Sequence, residues 1–265
     1  MPSPTPSTTP ATSLLAWQRL RPWVLPALAL AALEMWCRTV GQGSDAVAAP
    51  SAALWAFWGA LRDGQLWQAT AFTLGSAGLG LALGSLAGVA LGTLLGLWAA
   101  AGRAAFLSIE LLRPVPSVAL VPLAMLVFGF GLRMEVAVVA FACLWPMLVL
   151  TQAAVRQVDR QLLEVGQALE LSPGQQWLWL VLPAIVPRLF VALRLAVAIA
   201  LVVAVTVEIA ANPHGMGYAL VIAQQSLDPA LMLAWLGWVG VTGFVINAGA
   251  MRLQQWVARR MGAQP

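Results

Sequence analysis

Residues 155–176 read VRQVDRQLLEVGQALELSPGQQ, the one long polar island in an otherwise apolar chain. Before it, residues 136–155 carry no charged side chain; after it, residues 187–208 contain Arg194 and end at Glu208. A helix needs about 20 residues to cross roughly 30 Å of hydrocarbon. Both flanks are long enough, so the island is a surface element held between two membrane spans. This reading makes the chain an all-α integral membrane protein.

The composition agrees. The 265 residues are 61% hydrophobic and 9% charged, whereas soluble domains carry charge on roughly a quarter of their residues. All fourteen basic residues are arginine, and the net charge of +4 is too scattered for a nucleic-acid surface. Cys37, Cys143 and the single His214 indicate neither a disulfide framework nor a metal site. No cofactor is expected.

Working outward, residues 64–102 form a charge-free run nearly twice the length of a span. They accommodate a short interfacial approach followed by a long helix over 71–99. The expected spans are 22–40, 71–99, 108–131, 135–154, 187–208 and 229–250, a bundle of about six within a membrane domain over 22–254. Residues 1–21 are expected to form a disordered tail on the cytoplasmic side, and 255–265 a cytoplasmic C-terminal tail. Between spans one and two, Leu54, Phe57, Trp58 and Leu61 share one face, as in a helix lying along the bilayer surface.

Orientation follows from arginine placement. With the N-terminus inside, the internal segments hold Arg19, Arg21, Arg103, Arg156, Arg160, Arg188, Arg252, Arg259 and Arg260. The external ones hold Arg38, Arg62 and Arg133. That asymmetry predicts cytoplasmic termini and puts the island in the cytoplasm, between spans four and five.

Gly80, Gly84, Gly88, Gly92 and Gly96 recur every four residues in the second span. Close backbone approach drives helix association in lipid, so this ridge predicts helix packing, in a moving or a static bundle alike.

Within the island, Asp159 is a candidate N-cap. Leu162, Leu163, Val165, Gly166 and Leu169 fall on one side of the following helix, and Arg160, Gln161, Glu164 and Gln167 on the other. Ser172 with Gln175 fits a capping box, with Pro173 at the first helical position. The second helix is expected to run from Pro173 to about Leu182. Pro183 and Pro187 are expected to interrupt it before the fifth span.

Helix–turn–helix over 155–185, with Glu164-Val165-Gly166-Gln167-Ala168-Leu169-Glu170-Leu171-Ser172 and then Leu182-Pro183, resembles the "EAA" coupling loop of binding-protein-dependent ABC transporter permeases. Glu164 and the Leu-Pro pair match, while Val165 and Gly166 stand for the family's two alanines. Glu170 occupies the family's turn glycine, so the turn is expected to shift toward Ser172-Pro173-Gly174. Two further segments resemble the sulfonate, taurine and nitrate branch. One is Leu112-Arg113-Pro114-Val115-Pro116-Ser117 with Phe128-Gly129; the other is Val207-Glu208 with Gly215-Met216-Gly217-Tyr218.

The resemblance implies a permease subunit of an ATP-driven importer in a bacterial inner membrane. Its implied partners are a second copy of the chain, cytoplasmic ATP-binding subunits and an external substrate-binding protein. ATP hydrolysis would lie on the partner, so the chain itself is expected not to be an enzyme. Asp159, Glu164, Val165, Gly166, Ala168, Glu170, Leu171, Ser172, Pro173 and Pro183 would form the coupling surface. The substrate implied is a small organic anion such as an aliphatic sulfonate or taurine, with nitrate or a thiamine-precursor pyrimidine as alternatives.

Charged residues within spans are candidates for the translocation path. Arg113 lies beside Pro114 and Pro116 with Glu110 three residues before it, so Arg113 and Pro116 are path candidates and a local ion pair is the competing account. Glu208 has no basic residue within four positions; it either lines the path or makes structural hydrogen bonds. One loop histidine excludes the zinc and serine membrane proteases. The absence of a convincing internal repeat disfavours a secondary transporter.

Overall fold

The computed structural model describes residues 11–39 and 47–261, with side chains from residue 24 onward. Every regular element among them is helical. Helix α1 spans Ala11–Thr39, α2 Pro50–Arg62, α3 Gln65–Leu97, α4 Ala99–Leu112 and α5 Val121–Phe128. Helix α6 spans Leu132–Arg156, α7 Arg160–Ala168, α8 Pro173–Gln176, α9 Leu182–Ala210, α10 Met216–Gln225 and α11 Pro229–Arg260.

Among the described residues, α3, α6, α11 and the continuous helical stretch Pro173–Ala210 are long and apolar enough to span a bilayer. The expected third span, 108–131, differs from expectation: α4 and the Ser117–Phe128 segment meet at 84°. Pro114, Pro116 and Pro122 explain the break. Each lacks an N–H for the helical ladder, and a residue preceding proline is disfavoured in the helical region. Counted as one bent unit, the pair makes a fifth span, and α1 covers the first expected segment.

Helices also run past the expected tail boundaries. Helix α1 begins at Ala11, inside the presumed disordered stretch 1–21, and α11 continues to Arg260 rather than ending near 250. Arg259 and Arg260 in the last turn suit the negative end of the helix dipole. Residues 1–10 and 262–265 of the two tails lie outside the described residues.

Helix α6 is the centre of the bundle. The glycine ridge of α3 lies along it from end to end. A methyl group added at Gly80 would stand 2.6 Å from Val139 Cβ, at Gly88 2.6 Å from Met147 Cβ, and at Gly96 2.8 Å from Val155 Cβ. At Gly84 it would overlap the Ala140 carbonyl oxygen. Backbone approaches this close need glycine because nothing larger leaves room. A second small-residue ridge, Ala192, Ala196, Ala200 and Ala204, gives α9 the same fit on the core shared with α6. Cys143 Sγ there lies 3.5 Å from the Ala196 carbonyl oxygen.

A second apolar cluster joins α2, α9, α10 and α11 through Ala60, Leu201, Met216, Ala223 and Trp235. It takes Phe57 and Leu61 of α2 inward, while Leu54 and Trp58 stay exposed. The apolar face expected to lie on lipid is therefore split. A third cluster of Ala154, Val155, Val181 and Ile185, with Leu163 and Trp177 against it, seats the polar island on the ends of α6 and α9.

Candidate functional site

The island folds as two helices joined by a tight turn. Asp159 caps α7 by accepting the Gln161 amide at 2.9 Å. Helix α7 ends in a left-handed residue: Glu170 has φ +53°. The Leu171 amide donates to the Gly166 carbonyl at 3.0 Å and the Glu170 amide to the Gln167 carbonyl at 2.9 Å. These two bonds make a Schellman closure, which normally takes glycine at the position Glu170 holds. The turn thus stays at Glu170 and does not shift to Ser172-Pro173-Gly174. The reason is that two orphan carbonyls at the end of α7 are satisfied there, and this outweighs a left-handed cost of roughly 1–2 kcal/mol.

Ser172-Pro173-Gly174 instead begins the second helix. The Gln175 amide donates to Ser172 Oγ at 3.4 Å and the Ser172 amide to Gln175 Oε1 at 2.8 Å, completing the capping box. Gln176 Nε2 ties the turn by donating to the Leu171 carbonyl at 3.0 Å. The expected interruption at Pro183 and Pro187 takes the form of a π-turn over Trp177–Val181, with the helix continuing into α9. Pro183 has no N–H to offer the carbonyl of Trp179, and widening the ladder absorbs that loss without ending the helix.

Packing divides α7 differently from its hydrophobic pattern. Gly166 is buried, and a methyl there would stand 2.7 Å from Leu180 Cδ1, so the two short helices touch at this residue. Leu162 and Leu163 are partly covered. Val165 and Leu169, on that same side by periodicity, are 51% and 65% exposed. Glu164, Ala168 and Glu170 are exposed beside them, and Arg160 Nε lies 3.3 Å from Glu164 Oε1. The island therefore presents a rigid ledge with two bare aliphatic side chains and two acids.

The opposite end of the bundle holds a buried polar cluster. Glu135 at the start of α6 is 0% exposed and Glu208 at the end of α9 is 1% exposed. Glu208 accepts from the Thr73 hydroxyl at 2.6 Å and the Gly217 amide at 2.8 Å. Glu135 accepts from the Ser76 hydroxyl and the Asn212 side-chain amide. Thr73 Oγ1 in turn accepts the Met216 amide at 3.0 Å. Buried carboxyl groups are tolerated only where donors surround them, and here α3, the start of α10 and the α9–α10 turn supply them.

The same cluster explains Gly215-Met216-Gly217. Gly215 has φ +93°, and a methyl on it would overlap the Glu208 carboxyl group. At Gly217 a methyl would stand 2.8 Å from Glu208 Cβ. Of the cluster, only Glu208 stood out in the sequence. Thr73 and Ser76, three apart in a charge-free helix, were the available signal, but hydroxyls in membrane helices often bond their own backbone. Thr73 Oγ1 also lies 3.0 Å from Ala69 O, but its one proton has the shorter partner in Glu208 at 2.6 Å.

Arg113 and Pro116 lie elsewhere, at the break between α4 and α5. Arg113 is exposed and its Nη1 is 3.8 Å from Glu110 Oε1. Pro116 precedes a single 3₁₀ turn, Ser117–Leu120. The structure brings neither to Glu208, which is buried against Thr73 and Gly217.

A multi-helix bundle with a self-capped helix–turn–helix between two spans defines the class: a polytopic helical membrane protein. Residues 80–263 match the binding-protein-dependent transport system inner membrane component family, and the chain belongs to that family. It is a multi-pass inner-membrane protein. It is 27% identical over 246 residues to SsuC of Escherichia coli (strain K12), named as an aliphatic sulfonates transport permease, covering 92% of this chain and 94% of that protein. It is 27% identical to the bicarbonate transport system permease protein CmpB of Synechococcus elongatus, covering 77% of this chain and 73% of that one. A chain of the inward-facing MetNI methionine ABC transporter superposes with a TM-score of 0.62 at 17% identity, covering 70% of this chain and 92% of that one. This last likeness concerns the fold alone.

Proposed function

We propose that the chain is a pore-forming subunit of an ATP-driven importer for a small oxoanion, working as a pair of identical copies. An ATP-binding subunit would dock on each helix–turn–helix, and an external binding protein would deliver the substrate. The observation that carries this reading is the ledge of α7. Its backbone is closed by Asp159, Glu170 and the Ser172–Gln175 box, yet Val165 and Leu169 remain uncovered beside Glu164 and Glu170. A rigid surface with bare aliphatic groups is suited to a protein partner. Rigidity also matters for coupling, since a partner's ATP cycle can shift a pore's equilibrium only through contacts that differ between two pore states. Arginine asymmetry supports a cytoplasmic ledge and cytoplasmic termini.

The substrate class rests on the family relatives, whose names pair a sulfonate with a bicarbonate. Both are compact oxoanions. The reading is tested in membranes of the native host carrying a photo-crosslinking amino acid at Leu169. Capture of an ATP-binding subunit is expected, and Glu164→Arg is expected to weaken that capture while leaving the thermal unfolding of the bundle unchanged. If Glu164→Arg assembles and transports like the parent, the ledge is not the coupling surface.

A further inference from the structure

Arg194 lies in the apolar body of α9, and among the described residues it makes no hydrogen bond and no ion pair. Helix α9 has no acidic residue before Glu208, and α11, packed against it, has none at all. An arginine in hydrocarbon is costly unless an anion or the headgroup layer takes its charge, and neither helix offers the anion. Its depth narrows the choice. From Glu208, Arg194 lies about 21 Å along the helix axis. With Glu208 at one edge of roughly 30 Å of hydrocarbon, the Arg194 backbone sits about 9 Å inside the other edge. A snorkelling side chain reaches the headgroups from there.

Arg194 borders a recess of ≈ 260 Å³ between α9 and α11. Phe190 and Val197 flank it on α9, and Ile246, Gly249 and Leu253 line the α11 side; every other side chain around the arginine is apolar. Space continues over Gly249, where an added methyl would meet nothing within 4 Å. Compact ligands take cavities of about 300–1,000 Å³. This smaller recess suits one end of a molecule whose remainder stays in the bilayer. The same end of both helices is basic: Arg188, Arg252 and Arg259 are exposed, and Arg260 lies over the Trp256 ring at 4.6 Å. The other cavities differ. The ≈ 560 Å³ one between α3 and α9 has no cation in its wall, and Arg113, beside the α4–α5 break, already has Glu110 near it.

We infer that the recess between α9 and α11 is a binding site for one anionic phospholipid, its phosphate held by the Arg194 guanidinium and an acyl chain lying along Phe190, Val197 and Gly249. A basic pocket between membrane helices is the usual setting for an anionic headgroup, and a guanidinium grips phosphate with two parallel donors. The site stands apart from the importer reading, because any anionic bilayer supplies the lipid. The test uses the full chain in maltoside micelles, titrated with dioleoyl phosphatidylglycerol or dioleoyl phosphatidylcholine. Native mass spectrometry counts the lipid bound to each chain.

One phosphatidylglycerol per chain is expected, with a midpoint at least roughly tenfold below that of phosphatidylcholine. Arg194→Gln is expected to raise the phosphatidylglycerol midpoint roughly tenfold, the effect of losing a charge-assisted pair, and to leave phosphatidylcholine unchanged. Arg194→Lys should fall between, because a point charge replaces a two-pronged donor. Arg133→Gln, which removes an exposed arginine at the opposite end of the bundle, is expected to change neither midpoint. If Arg194→Gln lowers the unfolding temperature, Gly249→Leu decides instead: it fills the recess from a position with open space, and a roughly tenfold weaker phosphatidylglycerol midpoint is expected. Equal affinity for the two lipids, or a phosphatidylglycerol midpoint that neither Arg194→Gln nor Gly249→Leu moves, overturns the site. So does a disulfide joining two copies of Gly249→Cys in native membranes, since a second copy would then cover the recess.

Discussion

The two ends of the bundle are held in opposite ways. The helix–turn–helix is closed by bonds between residues two to five apart: Asp159 to Gln161, Gly166 to Leu171, Ser172 to Gln175. The polar cluster is closed by bonds across the chain, Thr73 to Glu208 and Ser76 to Glu135. A local closure keeps its shape when the surrounding helices shift. A long-range one fixes those helices to each other. The bundle thus has a joint that pins α3, α6 and α9 at one end. At the other it has a ledge that can be pushed as a unit.

Breaking the joint should have the largest effect. Gly215→Ala forces a methyl into the Glu208 carboxyl group at a left-handed residue, and a loss of about 3 kcal/mol or more is expected, seen as a lowered unfolding temperature in nanodiscs. Glu208→Ala leaves the Thr73 hydroxyl and the Gly217 amide without their acceptor; a loss of about 2–4 kcal/mol by the same measurement is expected. Glu208→Gln keeps the shape and should insert normally while lowering transport. A variant transporting at the parental rate would remove the carboxyl group from the mechanism.

The ledge should respond more mildly and without unfolding the bundle. Ser172→Ala removes one cap and should cost about 1 kcal/mol of local stability, read as faster amide exchange confined to residues 172–176. Glu170→Gly relieves the left-handed strain and should slow exchange in α7 by about 1 kcal/mol. Faster exchange in that variant would mean that Glu170 contributes more by its side chain than its backbone costs. Smallest of all, Arg160→Ala removes an exposed pair and should cost about 0.3–0.5 kcal/mol. If it loosened α7 as much as Ser172→Ala does, the ledge would not be closed mainly by its backbone.

Reading the chain by composition and spacing located the apolar segments, the glycine ridge and both caps of the island. All of these depend on neighbours in sequence: hydropathy over about 20 residues, a period of four, a capping residue three before its partner. It failed where two local rules competed. Glycine preference pointed the turn toward Gly174, but the two carbonyl bonds of the Schellman closure hold it at Glu170. Periodicity put Val165 and Leu169 on the apolar stripe of α7 but could not say which of its residues a neighbour covers: Leu163 packs inward, while those two find no helix over them. Three prolines announced a disturbance near residue 116 but not an 84° bend, since the angle depends on what α5 packs against.

The sequence by itself determined that this is a helical membrane protein with a polar, self-capped island, because helix formation in lipid and capping at its ends are local matters. Only the tertiary structure decided that Glu135 and Glu208 share one polar cluster with Thr73, Ser76 and Asn212. Those groups lie tens of residues apart, and burial makes their pairing matter: a donor or acceptor shut away from water must find its partner wherever the packing of the helices brings one.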